Sequence, residues 1–144
     1  MVDVVTEMSS DYIDDYHQCE RTYATLRIFP KNDRPDDIST RLGLEPTSMQ
    51  VAHIDAKGRR IVDSWFLSSK DLVESRDSRR HVDWLLDRIE PAASSLAALM
   101  ESGTRIDVCC FWESATGNGG PLISPRQMRR LVALNLEIWW DVWC

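Results

Sequence analysis

The chain has 144 residues, of which 43% are hydrophobic and 28% charged, and its net charge is −6. This length predicts one domain that can bury a core, and the composition excludes a wholly disordered chain. No run approaches the ~20 apolar residues of a transmembrane helix, and the first residues lack the basic and apolar regions of a secretory signal. We therefore expect a soluble cytoplasmic protein without a membrane partner.

The acidic excess is confined to residues 1–20. That segment carries six Asp and Glu and no Lys or Arg, which leaves 17 acidic and 17 basic residues for 21–144. We expect a flexible acidic leader, whose deletion through residue 18 changes stability little, before a single, nearly neutral α+β domain. Docking of the leader through Tyr12, Ile13 and Tyr16 is the alternative. Without a basic patch, nucleic acid is not an expected partner.

Hydrophobic alternation predicts the first elements. Residues 21–29 form a strand that buries one face. A short helix begins at Pro35 and ends at Gly43. Two strands, 48–55 and 60–68, then form a hairpin around a turn that contains a left-handed glycine.

Helical periodicity dominates the middle of the chain. A helix is predicted over 79–90, capped by Ser78 or Asp77, with an apolar stripe toward the core. Pro91 interrupts this pattern, because proline is not tolerated inside a helix, and a second helical segment is predicted over 91–101.

The last third repeats the pattern of strand, loop, helix and strand. Strands are predicted over 104–112 and 136–143, with a glycine-rich loop over 114–123. Ser124 and Gln127 form a capping box at the start of the intervening helix. That helix is expected to bury a stripe of three residues: Met128, Leu131 and Val132.

The predicted order is β-α-β-β-α-β-α-β. It indicates an α+β fold with a mixed sheet and helices on one face. The simplest topology is a ferredoxin-like arrangement extended by one helix and one strand. Trp65 and Trp112 lie on apolar alternations of inner strands and are predicted to anchor the core.

A family resemblance follows from an ordered set of features rather than from one motif. In chain order they are the opening strand at residues 23–28, the first helix region at 35–39 and 42–46, and Trp65 with Leu67 and Ser68 in the hairpin. The helix break at 85–91 follows, then residues 119–121 ahead of Ser124 and Pro125, and the last helix at 131–134. With these features the chain resembles the bacterial family called domain of unknown function 4279 over roughly residues 21–143. The resemblance implies a small α+β protein, with no known activity, cofactor or catalytic residue.

The glycine-rich loop is a candidate anion site. It joins a strand to a helix start, where backbone N–H groups can hold an anion. The candidate residues are Gly117, Asn118, Gly119 and Gly120. Their spacing matches neither the dinucleotide-binding nor the P-loop pattern, so a structural turn is the favoured interpretation.

No catalytic residue, metal site or cofactor is predicted. His53 and Asp55 share a strand face but lack a third ligand, and no cysteine pair has zinc-site spacing. The four cysteines are expected to be free thiols. A hydrolase with paired carboxylates stays an alternative on four strand residues: Asp107, Glu113, Glu137 and Asp141.

Tryptophan is concentrated at the end of the chain, where three of the six lie within 139–144. Alternation places Trp140 on the core face and Trp139 with Trp143 on the opposite face, beside Glu137 and Asp141. In a dimer these two acidic residues would lie at the rim of the interface or meet Arg27 of the other chain. The predicted binding surface comprises Tyr23, Arg27, Trp139, Asp141 and Trp143. Trp, Tyr and Arg are enriched in binding hot spots.

This surface favours a non-enzymatic protein-binding module, of which an immunity or inhibitor protein is one form, and a homodimer formed through the same face. The alternative function is a small-molecule or anion-binding domain, or a small enzyme. Such a domain would use the open sheet face or the 117–121 loop.

Overall fold

The computed structural model describes residues 11–144, which form seven strands and four α-helices. The strands are β1 (Cys19–Phe29), β2 (Ser48–Gln50), β3 (His53–Ile54), β4 (Arg60–Ile61), β5 (Ser64–Ser68), β6 (Arg105–Ser114) and β7 (Ile138–Trp143). The helices are α1 (Pro35–Leu42), α2 (Ser78–Ile89), α3 (Ala93–Glu101) and α4 (Pro125–Ala133), with a 3₁₀ turn (Glu90–Ala92) between α2 and α3. Among these residues no helix has the length and apolarity needed to cross a membrane.

Five strands form one mixed sheet in the order β2-β5-β1-β6-β7. In this order the first four strands, β2, β5, β1 and β6, pair antiparallel with their neighbours, which is the ferredoxin-like arrangement. β7 then joins β6 in parallel, after the crossover through α4. The predicted α+β fold with an added helix and strand is confirmed.

The core lies between the sheet and the helices. In β1, Ala24, Leu26 and Ile28 are fully buried, because every second side chain points to the helices. Trp65 and Trp112 are also fully buried, which confirms their prediction as core anchors. The Trp65 indole N–H donates to Ser39 Oγ at 2.9 Å.

The predicted long hairpin is divided in two. β2 pairs with β5, whereas β3 and β4 form a separate two-stranded hairpin. The division falls where the Ala52 N–H donates to the Asp63 side chain at 2.6 Å instead of to a strand carbonyl. The β3–β4 turn has the predicted left-handed glycine, Gly58, at φ +77°.

Side-chain caps set the starts of two helices. Asp77 accepts a hydrogen bond from the Arg79 N–H at 2.9 Å and begins α2. At α4, Ser124 Oγ accepts from the Gln127 N–H and Gln127 Oε1 accepts from the Ser124 N–H, both at 3.1 Å. The predicted capping box is therefore confirmed, and it satisfies two helix-end donors.

The predicted buried stripe of α4 is wrong in two of its three positions. Leu131 is buried, but Met128 is 46% and Val132 78% exposed. The helix is rotated so that Gln127 and Arg130 pack on α2: the Gln127 side-chain amide donates to the Arg79 carbonyl at 2.6 Å. The Arg130 guanidinium pairs with three acidic groups, Asp83, Asp87 and Glu90.

Residues 12–14 bond to the start of α2 and to the segment just before it. The Ile13 N–H donates to Asp77 at 2.8 Å, and Asp14 accepts from Arg80 at 2.8 Å and from Ser75 at 2.6 Å. Tyr12 donates its hydroxyl hydrogen to Asp83. Residues 1–10 lie outside the described residues, so the flexibility predicted for the leader as a whole stays a prediction.

Candidate functional site

Among residues 11–144 no helix covers one face of the five-stranded sheet, and we call this face the outer face. On β1, β6 and β7, and at Phe66 and Ser68 of β5, it consists of the side chains opposite the core, which are half-buried or exposed apart from Asp107. These are Arg21, Tyr23, Thr25, Arg27, Phe29, Phe66, Ser68, Arg105, Asp107, Cys109, Phe111, Glu113, Trp139, Asp141 and Trp143.

The strand register brings the predicted binding residues onto this face. Tyr23 lies opposite Phe111, which lies opposite Asp141 on β7. Trp139 and Trp143 flank Asp141 on the same side and are 51% and 60% exposed. Arg27 lies farther along β1 on the same face. The five residues thus share one surface, and their role in binding stays a prediction.

Aromatic rings and cations alternate at one end of the outer face. The rings of Tyr23 and Phe111 stack with centroids 4.9 Å apart and planes at 17°. The Arg21 guanidinium lies 5.2 Å from the Phe111 centroid, and Lys70 Nζ lies 5.5 Å from that of Tyr23. Both cations lie within cation–π range, so each is held above a ring.

A second group of rings and cations surrounds Phe29. Arg27 and Arg105 lie 5.7 Å and 5.0 Å from its centroid, and Phe66 meets it edge to face at 5.8 Å. A hollow of about 860 Å³ adjoins this group, between the outer face and the β3–β4 hairpin. Phe29, Arg60 and Arg105 are among its lining residues.

Arg27 is already paired within the chain. Its guanidinium donates to the Asp107 carboxylate through Nε at 2.7 Å and Nη2 at 2.9 Å. These hydrogen bonds raise the pKa of Arg27 above its ordinary value. Within the chain the partner of Arg27 is thus the cross-strand Asp107, and a contact of Arg27 with Glu137 or Asp141 of another chain stays a prediction.

The C-terminal strand differs from the prediction in its burial. Trp140 shares the helix-side face with Cys110, as alternation predicts, yet it is 38% exposed. Among the described residues β7 is an edge strand, and β6 is its one neighbour in the sheet. On the outer face, the Trp143 indole N–H donates to Asp141 at 2.9 Å.

The glycine-rich loop uses several of its donors internally. Ser114 Oγ accepts from the Gly117 N–H at 2.8 Å and from the Thr116 N–H at 3.3 Å. Gly119 has φ +85°, and the Gln18 side chain lies where a Cβ would stand. This geometry describes a turn packed on residue 18. Anion binding by Gly117, Asn118, Gly119 and Gly120 stays a prediction.

A buried serine–histidine pair is a polar arrangement that the sequence did not reveal. Ser69 Oγ lies 2.6 Å from His81 Nδ1, and His81 Nε2 lies 2.8 Å from the Ser75 carbonyl oxygen. Ser69 Oγ also accepts from the Ala24 N–H at 2.9 Å. Both side chains are buried, and the second histidine nitrogen meets a carbonyl rather than a carboxylate. The pair therefore links β1 to α2 and has no access to a substrate.

The other candidate groups are separated or already bonded. His53 Nδ1 lies 2.8 Å from the Val51 carbonyl oxygen, and Asp55 accepts from the Arg59 guanidinium at 2.8 Å within its turn. Within residues 11–144 no group of three or more His, Cys, Asp or Glu is arranged to hold a metal. Burial raises the pKa of the Cys110 thiol to about 12 and that of Cys19 to about 11, so neither is a ready nucleophile.

The comparisons with known proteins identify a family without an assigned activity. No curated protein and no solved structure matches the chain significantly. The family described as "Domain of unknown function (DUF4279)" matches residues 18–144, which include all the strands and helices given above for residues 11–144. The chain therefore belongs to the DUF4279 family.

Proposed function

We propose that the chain is a non-enzymatic protein-binding module whose contact surface is the outer face. The observation that carries the proposal is the ordered alternation of rings and cations on this face. Interface cores are enriched in aromatic residues and arginine, and their hot spots in Trp, Tyr and Arg. The outer face offers both kinds of residue, and no helix of the described part of the chain covers it.

Pre-organisation supports this function. The Tyr23–Phe111 stack lies beneath Arg21 and Lys70, and Asp107 holds Arg27 through two hydrogen bonds. Side chains that are already ordered lose less conformational freedom when a partner binds. The outer face is therefore suited to a rigid contact.

The charges of the outer face indicate the chemistry of the partner. Asp107 neutralises Arg27, whereas Arg21 and Arg105 have only long contacts, to Glu113 at 3.8 Å and to Asp107 at 3.7 Å, and their side chains are 57% and 64% exposed. Lys70 adds a third cation over a ring. We expect a protein segment with carboxylates that reach these cations and an apolar or aromatic side chain that covers Tyr23 and Phe111.

An immunity- or inhibitor-type role is the form of this function that we favour. A preformed aromatic surface on a small domain can block an enzyme by covering its active site, without chemistry of its own. The four free thiols fit a reducing compartment, and we expect the module to act in the cytoplasm.

Site-directed photo-crosslinking in cells tests the proposal. A benzophenone amino acid replaces Phe111 on the outer face, or Glu101 at the exposed end of α3 as the matched control. We expect a protein to be captured from position 111 and not from position 101. That protein is then purified, and its affinity for the unmodified chain is measured by calorimetry.

Variants of the outer face complete the test. Tyr23→Ala and Arg105→Ala should each weaken binding of the identified partner at least tenfold, and Glu101→Ala should leave it unchanged. Equal capture from positions 111 and 101, or an affinity unchanged in both outer-face variants, overturns the proposal.

A further inference from the structure

Within residues 11–144 no strand pairs with the outer edge of β7, which we call its free edge. The Val108 N–H donates to the Glu137 carbonyl at 2.9 Å, which sets the phase of the parallel β6–β7 ladder. In a parallel ladder, alternate residues of a strand bond to one neighbour. Residues 137, 139, 141 and 143 therefore face β6, and Ile138, Trp140 and Val142 direct their N–H and C=O groups outward.

This edge lacks the usual protection against pairing. Natural edges are short, charged, bulged or interrupted by proline. β2, the opposite edge, has only three residues, whereas β7 has six, and Asp141 is its one charged residue. Trp140 and Val142 are 38% and 45% exposed on the helix side of β7.

The helix layer continues the apolar edge. Met128 lies two residues before Arg130 and Val132 two residues after it. Two residues correspond to a rotation of about 200° around the helix axis, so both lie on the side of α4 opposite Arg130. Because Arg130 points to the acidic groups of α2, Met128 and Val132 point away from α2, toward the β7 side of the molecule. Both are exposed.

We propose that a second copy of this chain pairs with the free edge of β7, antiparallel, about a two-fold axis at Trp140. Outward-facing residues must form the hydrogen-bonded pairs of such a ladder. With the axis at Trp140, Trp140 faces the partner's Trp140, and Ile138 faces the partner's Val142. The two sheets become one continuous sheet of ten strands.

Charge disfavours the neighbouring registers. An axis at residue 141 places Asp141 opposite the partner's Asp141, and an axis at residue 139 places Glu137 opposite the partner's Asp141. Like charges directly opposite each other destabilise a strand pair. The axis at Trp140 places Asp141 opposite the partner's Trp139, with no like-charged pair, and it uses five residues of β7.

The two layers together provide the contact area. A stable interface buries about 800 Å² per partner, more than a single strand supplies. In the continuous sheet both α4 helices lie on the same side, so the exposed Met128 and Val132 face the same residues of the partner. This contact is separate from the outer-face partner proposed above and does not depend on it.

Disulfide trapping tests the dimer and its register. In a Cys144→Ser background, Trp140→Cys places two thiols in a hydrogen-bonded pair, where the Cα atoms are about 5.5 Å apart and a disulfide can form. Val142→Cys is the matched control. In the same register residue 142 lies opposite residue 138 of the partner, so the two introduced cysteines are four residues apart along the strands, on the order of 13 Å. Oxidised glutathione should link the Trp140→Cys chains and leave the Val142→Cys chains unlinked.

Light scattering at micromolar concentration measures the molar mass of the unmodified chain and of two further variants. The unmodified chain should have the mass of two chains, Trp140→Lys the mass of one, and Tyr23→Ala the mass of two. A one-chain mass for the unmodified protein, or stronger linking of Val142→Cys than of Trp140→Cys, overturns the inference. Loss of the outer-face partner from a dimer that persists would instead count only against the proposed function.

Discussion

Arg27 and Asp107 lie directly opposite each other on β1 and β6 and are joined by two parallel hydrogen bonds of 2.7 and 2.9 Å. The Asp107 residue is only 3% exposed, although it lies on the helix-free face. The pair thus joins the two strands that carry most of the outer face. It also fixes the guanidinium that packs beside Phe29.

Breaking this pair should cost more stability than breaking an exposed one. Asp107→Asn leaves Arg27 without its carboxylate, and we expect a loss of about 3 kcal/mol in the free energy of unfolding, since removing one partner of a buried pair costs this much. Urea denaturation measures it. The control is Asp33→Asn, whose partner Arg41 is 2.9 Å away but more exposed; its expected loss is below about 1 kcal/mol. If both variants lost the same free energy of unfolding, the Arg27–Asp107 pair would stabilise the fold no more than an exposed ion pair does.

Buried His81 should make stability depend on pH. Burial holds the pKa of His81 below its ordinary value of 6.5, against the opposing effects of the Ser75 carbonyl, Asp77 and Asp14 and with the help of Arg80. Below pH 6.5 His81 is protonated in the unfolded chain but still neutral in the folded chain. The free energy of unfolding therefore keeps the full contribution of His81 above pH 6.5. It falls as the pH is lowered, by at most about 1.4 kcal/mol per pH unit.

Thermal unfolding between pH 7.5 and 5 checks this dependence. His81→Gln should lower stability at neutral pH, because it disturbs the contacts with Ser69 and Ser75, and should flatten the curve in this range. His53→Gln, at an exposed position, is the control and should leave the curve as it is. A curve equally steep in His81→Gln would assign the dependence to another group.

The two core tryptophans should respond differently to loss of the indole nitrogen. Replacement of either with Ala should cost about 3–5 kcal/mol, because each is fully buried. Trp65→Phe also removes a hydrogen bond to Ser39, whereas the Trp112 Nε1 is buried without a partner within residues 11–144. We expect Trp65→Phe to cost about 1 kcal/mol more than Trp112→Phe in urea denaturation. The reverse order would contradict this account.

Deletion of residues 1–18 should destabilise the protein, contrary to the expectation from composition alone. Residues 12–14 bond to Asp83, Asp77 and Arg80, and hydrogen bonds lower the pKa of Asp14, those from Ser75 and Arg80 being the main causes. We expect a loss of about 2 kcal/mol for several such contacts. Deletion of residues 1–10 is the matched control in the same thermal measurement. A truncation at residue 18 as stable as one at residue 10 would show that these contacts add nothing.

Local pattern was enough to predict most of the elements. Alternation in β1 set which side chains face the core, because successive strand residues point to opposite sides. Asp77 and the Ser124–Gln127 box marked helix starts, because capping involves residues only two or three apart. The order of elements then limited the topology to the ferredoxin-like sheet with its extra strand, since strand connections are short and of one hand.

Only the tertiary structure decided which surfaces are covered and which groups are paired. The pairing of Arg27 with Asp107, the burial of His81 against Ser69 and the docking of Asp14 all join residues more than ten positions apart. Likewise, the exposure of Met128 depends on which side of α4 meets α2, and that of Trp140 on what lies beyond β7. A residue's own sequence neighbourhood is the same whether or not a distant segment packs on it, so the burial of such residues is settled only when the whole chain folds.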